Sequence, residues 1–336
     1  MRKNKQITIL IVKTGALGDV LRTTALLPPL SRAYGARIFW LTSPKAKPLL
    51  TRNPLIEKIF TAPGQIAQQF DWTLSLEEDK ALAKIAQESF SKKITGVIVK
   101  DGQLSYTDDS APYYQMSLLN PNRALANQLK SQNQKTFFEL WLSILGLSNF
   151  KKSAIMRPQI FLTESERKTA LNFARKHSLL NGAIGFNPGA GIRWPSKELS
   201  IEKSREVIKK LASFKKPILL LGGLEEKKRN RAISRGLKGV ILPPPMPLKA
   251  FAALMEFCTV LITTDSLAFH IATALKKKVL VLIGPTSSSE LDVFGKGEKI
   301  IARPCVCFYR PHCSREKSCL NAISESRVFS AVKRFL

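Results

Sequence analysis

The sequence predicts an α/β protein made of two doubly wound domains, and three observations predict it. Between residues 183 and 283, short apolar β-branched runs alternate five times with helical stretches, the rhythm of an open parallel sheet with helices on both faces. Residues 7–42 read as strand, glycine-bearing turn, helix and strand, a second start of the same kind. The 336 residues also exceed one domain, at roughly 150 residues each.

The elements follow in order. Ile7–Val12 (ITILIV) is a nearly continuous apolar run, the pattern of a buried parallel strand. The turn Lys13-Thr14-Gly15-Ala16-Leu17-Gly18-Asp19-Val20 comes next, then a helical stretch to about Leu30 that Pro28-Pro29 should end. Arg37–Thr42 reads as the second strand, reached by a right-handed crossover. Weaker strands are expected at Lys58–Thr61, Trp72–Leu76 and Gly96–Val99. Residues 101–122 carry Tyr106, Tyr113 and Tyr114 but few aliphatics, and read as a long loop or insertion of the kind that often carries function. Ala124–Leu145 has helical spacing and Gly146 terminates it.

The first domain is expected to span residues 1–157 and the second 158–320. Residues 321–336 are expected to form a helix packing back on the first domain. Thr163 and Glu166 form a capping box for a helix to about His177. Strands are then expected at Ala183–Asn187, Pro217–Leu221, Gly239–Leu242, Thr259–Thr263 and Val279–Ile283. Helices are expected between them at Ile201–Phe214, Glu225–Leu237, Leu248–Phe257 and Ser266–Leu275. No self-similar repeat is visible, which excludes a solenoid.

Composition narrows the function. The chain holds 53 Lys+Arg against 25 Asp+Glu, a net charge of +28, yet 44% of it is hydrophobic. It is therefore a globular chain and not a disordered polycation. The charge would attract a nucleic acid, an anionic membrane surface or a phosphate-rich substrate. The alternative is a basic proteome in which surface lysines are simply solvated. With only 8% aromatics and no RNP, zinc-finger or helix-turn-helix signature, nucleic acid is not the expected partner. No apolar run approaches the roughly 18 residues of a membrane span, and no signal-peptide core precedes the first strand. A secreted or membrane-spanning protein is not expected.

Five constellations could carry chemistry. The Gly15–Asp19 turn ends a strand where open α/β sheets keep their sites, though it matches neither GxGxxG nor a Walker A loop. Asp19 is either an N-cap or a general base for an incoming hydroxyl. Asn187-Pro188-Gly189-Ala190-Gly191 allows close backbone approach, and Arg193 and Lys197 just downstream suit a diphosphate. The alternative is an ordinary βα turn. Thr263–Ala272 ends a strand in a polar cluster holding Asp265 and Ser266, and its helix N-terminus invites phosphate. His270, one turn further on, is either a ligand to that site or a core histidine bonded to a carbonyl. Gly222-Gly223-Leu224-Glu225-Glu226 offers a carboxylate to ribose hydroxyls, or merely an acidic first turn. Cys305, Cys307, Cys313 and Cys319, with His312, lack the paired C-x2-C knuckles of a zinc ribbon. Both a metal site and reduced thiols in a basic loop remain open.

Together these residues resemble glycosyltransferase family 9, the ADP-heptose:lipopolysaccharide heptosyltransferases. Lys13–Leu21 is similar to the family's N-terminal signature. Asn187–Gly191 with Ser196-Lys197 resembles its central motif, and Asp265–Ala272 its C-terminal motif. Cys307-Phe308-Tyr309 to Cys313, then Cys319-Leu320, is similar to a Cys-rich element near the end of many members. The resemblance runs from about residue 7 to the end and covers residues 101–122 poorly. Leu267 stands where many heptosyltransferases have glycine, and Arg193-Trp194-Pro195 precedes Lys197 instead of following it.

The resemblance implies a GT-B architecture, two Rossmann-like domains facing each other across a cleft, with acceptor on the first and nucleotide sugar on the second. It implies inverting, metal-independent transfer of a sugar, heptose from ADP-heptose, to a lipopolysaccharide-core or other lipid-linked glycan, with no cofactor. The alternatives are another nucleotide sugar, or a non-catalytic sugar-nucleotide-binding relative. On that pattern Asp19 is the general base and Lys197 stabilises the departing diphosphate. Asn187, Gly189, Gly191, Arg193, Glu225, Asp265, Ser266 and His270 bind the donor. Lys13, Thr14, Gly15 and Gly18 face the acceptor. The enzyme would be cytoplasmic, held against the anionic inner face of the membrane.

Overall fold

A computed structural model describes residues 6–150, 156–191, 193–303, 308, 310–313, 315–316 and 318–336. Cys305 and Cys307 lie outside the described residues. The chain divides into two units, Met1–Phe161 and Leu162–Leu336, a few residues beyond the expected boundary.

In the first unit the strands are β1 (Thr8–Val12), β2 (Arg37–Leu41), β3 (Ile56–Phe60), β4 (Trp72–Ser75), β5 (Ile94–Lys100) and β6 (Gln103–Tyr106). They form one sheet in the order β3-β2-β1-β4-β5-β6, parallel except for the β5–β6 hairpin. β1 lies between β2 and β4, so both its faces are covered. Ile9 and Ile11 enter one core with Trp40 and Leu74, while Leu10 and Val12 enter the other with Phe39 and Phe70. That double burial is why ITILIV does not alternate.

The helices of this unit are α1 (Leu17–Thr23), α2 (Leu27–Tyr34), α3 (Lys47–Leu50), α4 (Lys80–Ile85), α5 (Ala111–Tyr114), α6 (Arg123–Gln132) and α7 (Phe137–Ile144). Pro28 and Pro29 begin α2 instead of ending a helix, because the first turn has no use for their missing N–H groups. Gly35, with φ +57°, ends it. The single helix expected over 124–145 breaks into α6 and α7. Thr136 and Glu139 form a capping box that starts a new helix at Phe137. Residues 101–122 are not a bare loop either. They hold β6 and α5; Tyr113 packs with Phe137 and Trp141, Tyr114 with Trp141, and Tyr106 stacks on Tyr114. Tyrosines do the packing that aliphatics do elsewhere, so polarity concealed a core segment.

In the second unit the strands are β7 (Ala183–Asn187), β8 (Ile218–Leu220), β9 (Val240–Ile241), β10 (Cys258–Thr263), β11 (Lys278–Ile283) and β12 (Gly297–Ile301). The sheet is wholly parallel, in the order β12-β11-β10-β7-β8-β9. β12 is an edge strand that the sequence pattern does not announce. Its helices are α8 (Glu164–Lys176), α9 (Ile201–Leu211), α10 (Lys227–Ser234), α11 (Leu248–Leu254), α12 (Leu267–Ala274) and α13 (Glu325–Lys333). The capping box at Thr163 and Glu166 forms as expected. Helix α13 belongs to the second unit. Val328, Ala331 and Val332 are buried in the second unit's core with Val207 and Ile208 of α9. Lys203 Nζ, 3.0 Å from Glu325 Oε2, fixes its start.

Both sheets have one strand order: the unit's first and fourth strands lie side by side at the centre. The chain reverses its direction of progress there, and loops leaving the two strands diverge, opening a crevice at their carboxyl ends. In the first unit that point lies beyond β1 and β4, in the second beyond β7 and β10. Among the described residues no helix is long and apolar enough to cross a membrane.

Candidate functional site

Each unit gathers its sequence-predicted residues at its own switch point. In the first, the chain leaves β1 through Lys13-Thr14-Gly15 and leaves β4 through Leu76-Glu77-Glu78. Glu77 Oε2 accepts the Thr14 N–H at 2.7 Å, the Thr14 hydroxyl at 2.7 Å and the Gly15 N–H at 2.9 Å. Lys13 Nζ lies 3.6 Å from Glu77 Oε1. From the other side, Trp40 Nε1 donates to the Lys13 carbonyl at 3.1 Å and Ser43 Oγ to that of Thr14 at 2.7 Å. The backbone of the turn is thus committed to internal bonds, and it gives α1 a rigid support.

Ala16 takes the N-cap position of α1, so Asp19 is not the cap; it sits in the first turn. The positive end of the helix dipole favours a carboxylate there. Asp19 opens onto a pocket with Lys13, Arg22, Thr23, Leu76, Glu78, Tyr113, Tyr114, Phe137 and Trp141. Its side chain keeps 40% of its exposure, while that of Arg22 keeps 17%. Arg22 Nη2 donates to Asp19 Oδ1 at 2.7 Å. Burial pushes the Tyr114 phenol well above its usual value, and Tyr113, Glu78, Glu77 and Asp19 add to the rise. Of the expected acceptor residues, Lys13 lines this pocket, whereas Thr14, Gly15 and Gly18 do not. Arg22, Glu77 and Glu78 escaped the sequence reading. The signal for the glutamates was their position directly after a strand beside β1.

In the second unit, Asn187 ends β7 and is 6% exposed. Its Nδ2 donates to the Gly189 carbonyl at 2.9 Å, to Ser266 Oγ at 3.0 Å and to Thr263 Oγ1 at 3.3 Å. The first bond shapes its own loop, and the others tie that loop to the end of β10. Thr264 Oγ1 adds a second bond to the Gly189 carbonyl at 3.2 Å. Gly191 has φ +77°, which favours glycine. Its N–H donates to Glu226 Oε1 at 3.1 Å, and Glu226 Oε2 accepts the Gly223 N–H at 2.7 Å. Glu226 therefore bridges the loops after β7 and β8, while Glu225 beside it is exposed and precedes α10.

Lys197 stands in a short turn, Pro195–Lys197, braced by the tail. Ser196 N donates to the Pro311 carbonyl at 2.9 Å and Ser196 Oγ to that of Arg310 at 3.0 Å. Lys197 Nζ reaches Asp265 Oδ2 at 2.6 Å, and Thr286 Oγ1 donates to the same oxygen at 3.0 Å. The Trp194 ring lies 5.9 Å from Lys197 Nζ and 6.0 Å from the exposed Arg193 guanidinium. Ser266 takes the N-cap position of α12 but makes no side-chain cap bond; its hydroxyl serves Asn187 and Thr263. His270 is 5% exposed, inside α12, with its ring edge-on to Phe269 at 5.1 Å. Arg229, absent from the sequence reading, is held by Glu198 at 3.7 Å and by the Pro188 and Leu199 carbonyls. Burial lowers its pKa from the usual arginine value.

The arrangement supplies a cation, a helix N-terminus and a glycine loop for an anionic ligand, with a carboxylate and hydroxyls for sugar oxygens. Cys313 is half-buried and Cys319 buried. Burial pushes the Cys258 thiol up to about 12, so it stays protonated at neutral pH. Among the described residues no three His, Cys, Asp or Glu side chains converge as a metal site.

Several known proteins are similar to this chain. It is 24% identical over 306 residues to lipooligosaccharide heptosyltransferase 2 of Haemophilus influenzae, covering 83% of this chain and 84% of that protein. Its fold matches that of a glycosyl transferase family 9 protein from Veillonella parvula at TM-score 0.76 and 17% identity, over 98% and 97% of the two chains. It matches the E. coli ADP-heptose LPS heptosyltransferase II at TM-score 0.69 and 18% identity, over 98% of each. The model of glycosyltransferase family 9 (heptosyltransferase) matches residues 88–318, most of the chain, and the chain belongs to that family of glycosyltransferases.

Proposed function

We propose that this enzyme transfers heptose from ADP-heptose to a sugar hydroxyl of a lipopolysaccharide core, with inversion at the transferred carbon. The observation that carries the reading is the placement of Asp19 in the pocket beyond β1. A carboxylate in the first turn of a helix, kept partly open, is suited to take a proton from an acceptor hydroxyl. The hydroxyl oxygen then attacks the sugar carbon from the side opposite the diphosphate, and the ADP oxygen leaves with the bonding pair.

The residues of the second unit suit the leaving group. Lys197 supplies a point charge and the α12 N-terminus supplies N–H groups where negative charge grows. Gly189 and Gly191 let the backbone approach the diphosphate, with Asn187 and Ser266 shaping the loop. Asp265 accepts from sugar hydroxyls, and exposed Glu225 from the ribose. Arg193 is a second cation for the diphosphate, and buried His270 supports the α12 terminus. Lys13 reaches the acceptor directly, whereas Thr14, Gly15 and Gly18 act through the turn that carries Asp19. The names of the Haemophilus and E. coli relatives support the choice of heptose, ADP and a lipid-linked glycan. The net charge of +28 suits a protein that works at the anionic inner face of the cytoplasmic membrane, reversibly with salt.

The test is ADP release and product analysis with ADP-heptose and a heptose-deficient core acceptor, beside a panel of ADP- and UDP-sugars. Transfer from ADP-heptose with inverted anomeric configuration is expected. Turnover of another sugar nucleotide with ADP-heptose inert would overturn the choice of donor.

A further inference from the structure

Arg22 lies just outside the motifs that mark the family resemblance, yet it is paired with Asp19. Its Nη2 donates to Asp19 Oδ1 at 2.7 Å. Its guanidinium carbon lies over the Phe137 ring, 4.0 Å from the centroid. Phe137 is 5% exposed and is the first residue of α7, fixed there by the Thr136–Glu139 capping box. The guanidinium is thus held between an aromatic face on one element and a carboxylate on another.

We infer that Arg22 is a positioning residue for Asp19: seated on Phe137, it holds the carboxylate ionised and aims its second oxygen into the pocket. The inference rests on the reading of Asp19 as the general base. A surface ion pair at i,i+3 is worth little when both side chains are loose. This one differs because the arginine is largely buried and rests on the ring of Phe137. Lys13 and Glu78 line the same pocket, as do Tyr113 and Tyr114, and Glu77 stands behind the turn. Asp19 and Glu78 bring two carboxylates to one pocket, and Arg22 sets a cation against the first of them.

The test is steady-state kinetics across pH on R22M, R22K, F137L and D19N, with the double variant D19N/R22M. R22M should lower kcat by at least about tenfold with the donor KM unchanged. Its acid limb in kcat/KM should move up by about one pH unit, because the carboxylate loses an adjacent cation. R22K should restore the limb but only part of kcat, since an ammonium keeps the charge and loses the planar seat. F137L should fall between R22M and the wild type. Added to D19N, R22M should cost nothing further. Wild-type kinetics in R22M, or a rise in acceptor KM with the limb unmoved, would overturn the inference while a dead D19N left the base reading standing. Wild-type turnover in D19N would overturn that reading itself.

Discussion

Lys197 Nζ lies 2.6 Å from Asp265 Oδ2, and Thr286 Oγ1 donates to the same oxygen at 3.0 Å. One residue comes from the turn before α9 and the others follow β10 and β11, so the three side chains join three loops of the second unit. The side chains are 22% and 14% exposed, too buried for either charge to be left alone cheaply. An arriving diphosphate would offer Lys197 a competing anion while sugar hydroxyls took its place on Asp265. Lys197→Met should therefore weaken ADP binding by about tenfold or more, the scale of one hydrogen bond to a charged group. Calorimetric titration with ADP checks this. Unchanged affinity and unchanged turnover would move the role to Arg193.

Asn187 is the polar link between β7 and β10. Asn187→Ala removes donors to Ser266, Thr263 and the Gly189 carbonyl, although Thr264 still serves that carbonyl. The loss should cost about 1–2 kcal/mol of stability. Donor KM should rise more than kcat falls, because the loop and not the base has been disturbed. Urea denaturation and initial rates measure the two effects separately.

A second carboxylate ties β1 to β4 at their opposite end. Asp71 Oδ2 accepts the N–H of Thr8 at 3.0 Å and its hydroxyl at 2.9 Å, while Lys92 Nζ reaches Oδ1 at 3.0 Å. These bonds, the Thr8 N–H first, lower its pKa from 3.8 to about 2. A folded value below the unfolded one means that the stabilisation is complete above about pH 5 and fades as pH falls from about 4 toward 2. Asp71→Asn should lower stability at pH 7 by about 1 kcal/mol, allowing for solvent screening. The gap from wild type should close across that acid window. Denaturation curves at a series of pH values test the sign as well as the size.

Glu77→Ala removes the acceptor for two backbone N–H groups and a hydroxyl in the turn that carries Asp19. A loss of about 2–3 kcal/mol is expected from hydrogen bonds to a half-buried charge. Activity should fall through kcat with ADP affinity intact, since the second unit is untouched. Thermal unfolding and ADP titration of the same sample separate these effects.

The sequence made the alternation of the second half plain, because strands buried in a parallel sheet advertise themselves as unbroken apolar runs. Asn187, Lys197 and Asp265 were legible for the same reason: they directly follow or closely trail such runs. Tyr106, Tyr113 and Tyr114 were not, since core tyrosines in a polar stretch look like loop. Nor were α6 and α7 separable by periodicity alone, although Thr136 and Glu139 carried the capping signal. Arg22 and Glu77 were invisible as partners because their meaning lies in contacts: Arg22 with the distant Phe137, and Glu77 with a turn 63 residues earlier. The packing of Val328, Ala331 and Val332 of α13 with Val207 and Ile208 of α9 was likewise hidden, because it joins segments more than 100 residues apart.

The most direct test of Asp19 as the general base is the turnover of Asp19→Asn measured beside its affinity for ADP-heptose. The substitution keeps the size of the side chain and a hydrogen-bonding oxygen for Arg22, but removes the base. Transfer should slow by about 10²–10⁴-fold, the usual contribution of a general base, with donor affinity unchanged. Turnover within about twofold of wild type would contradict the assignment.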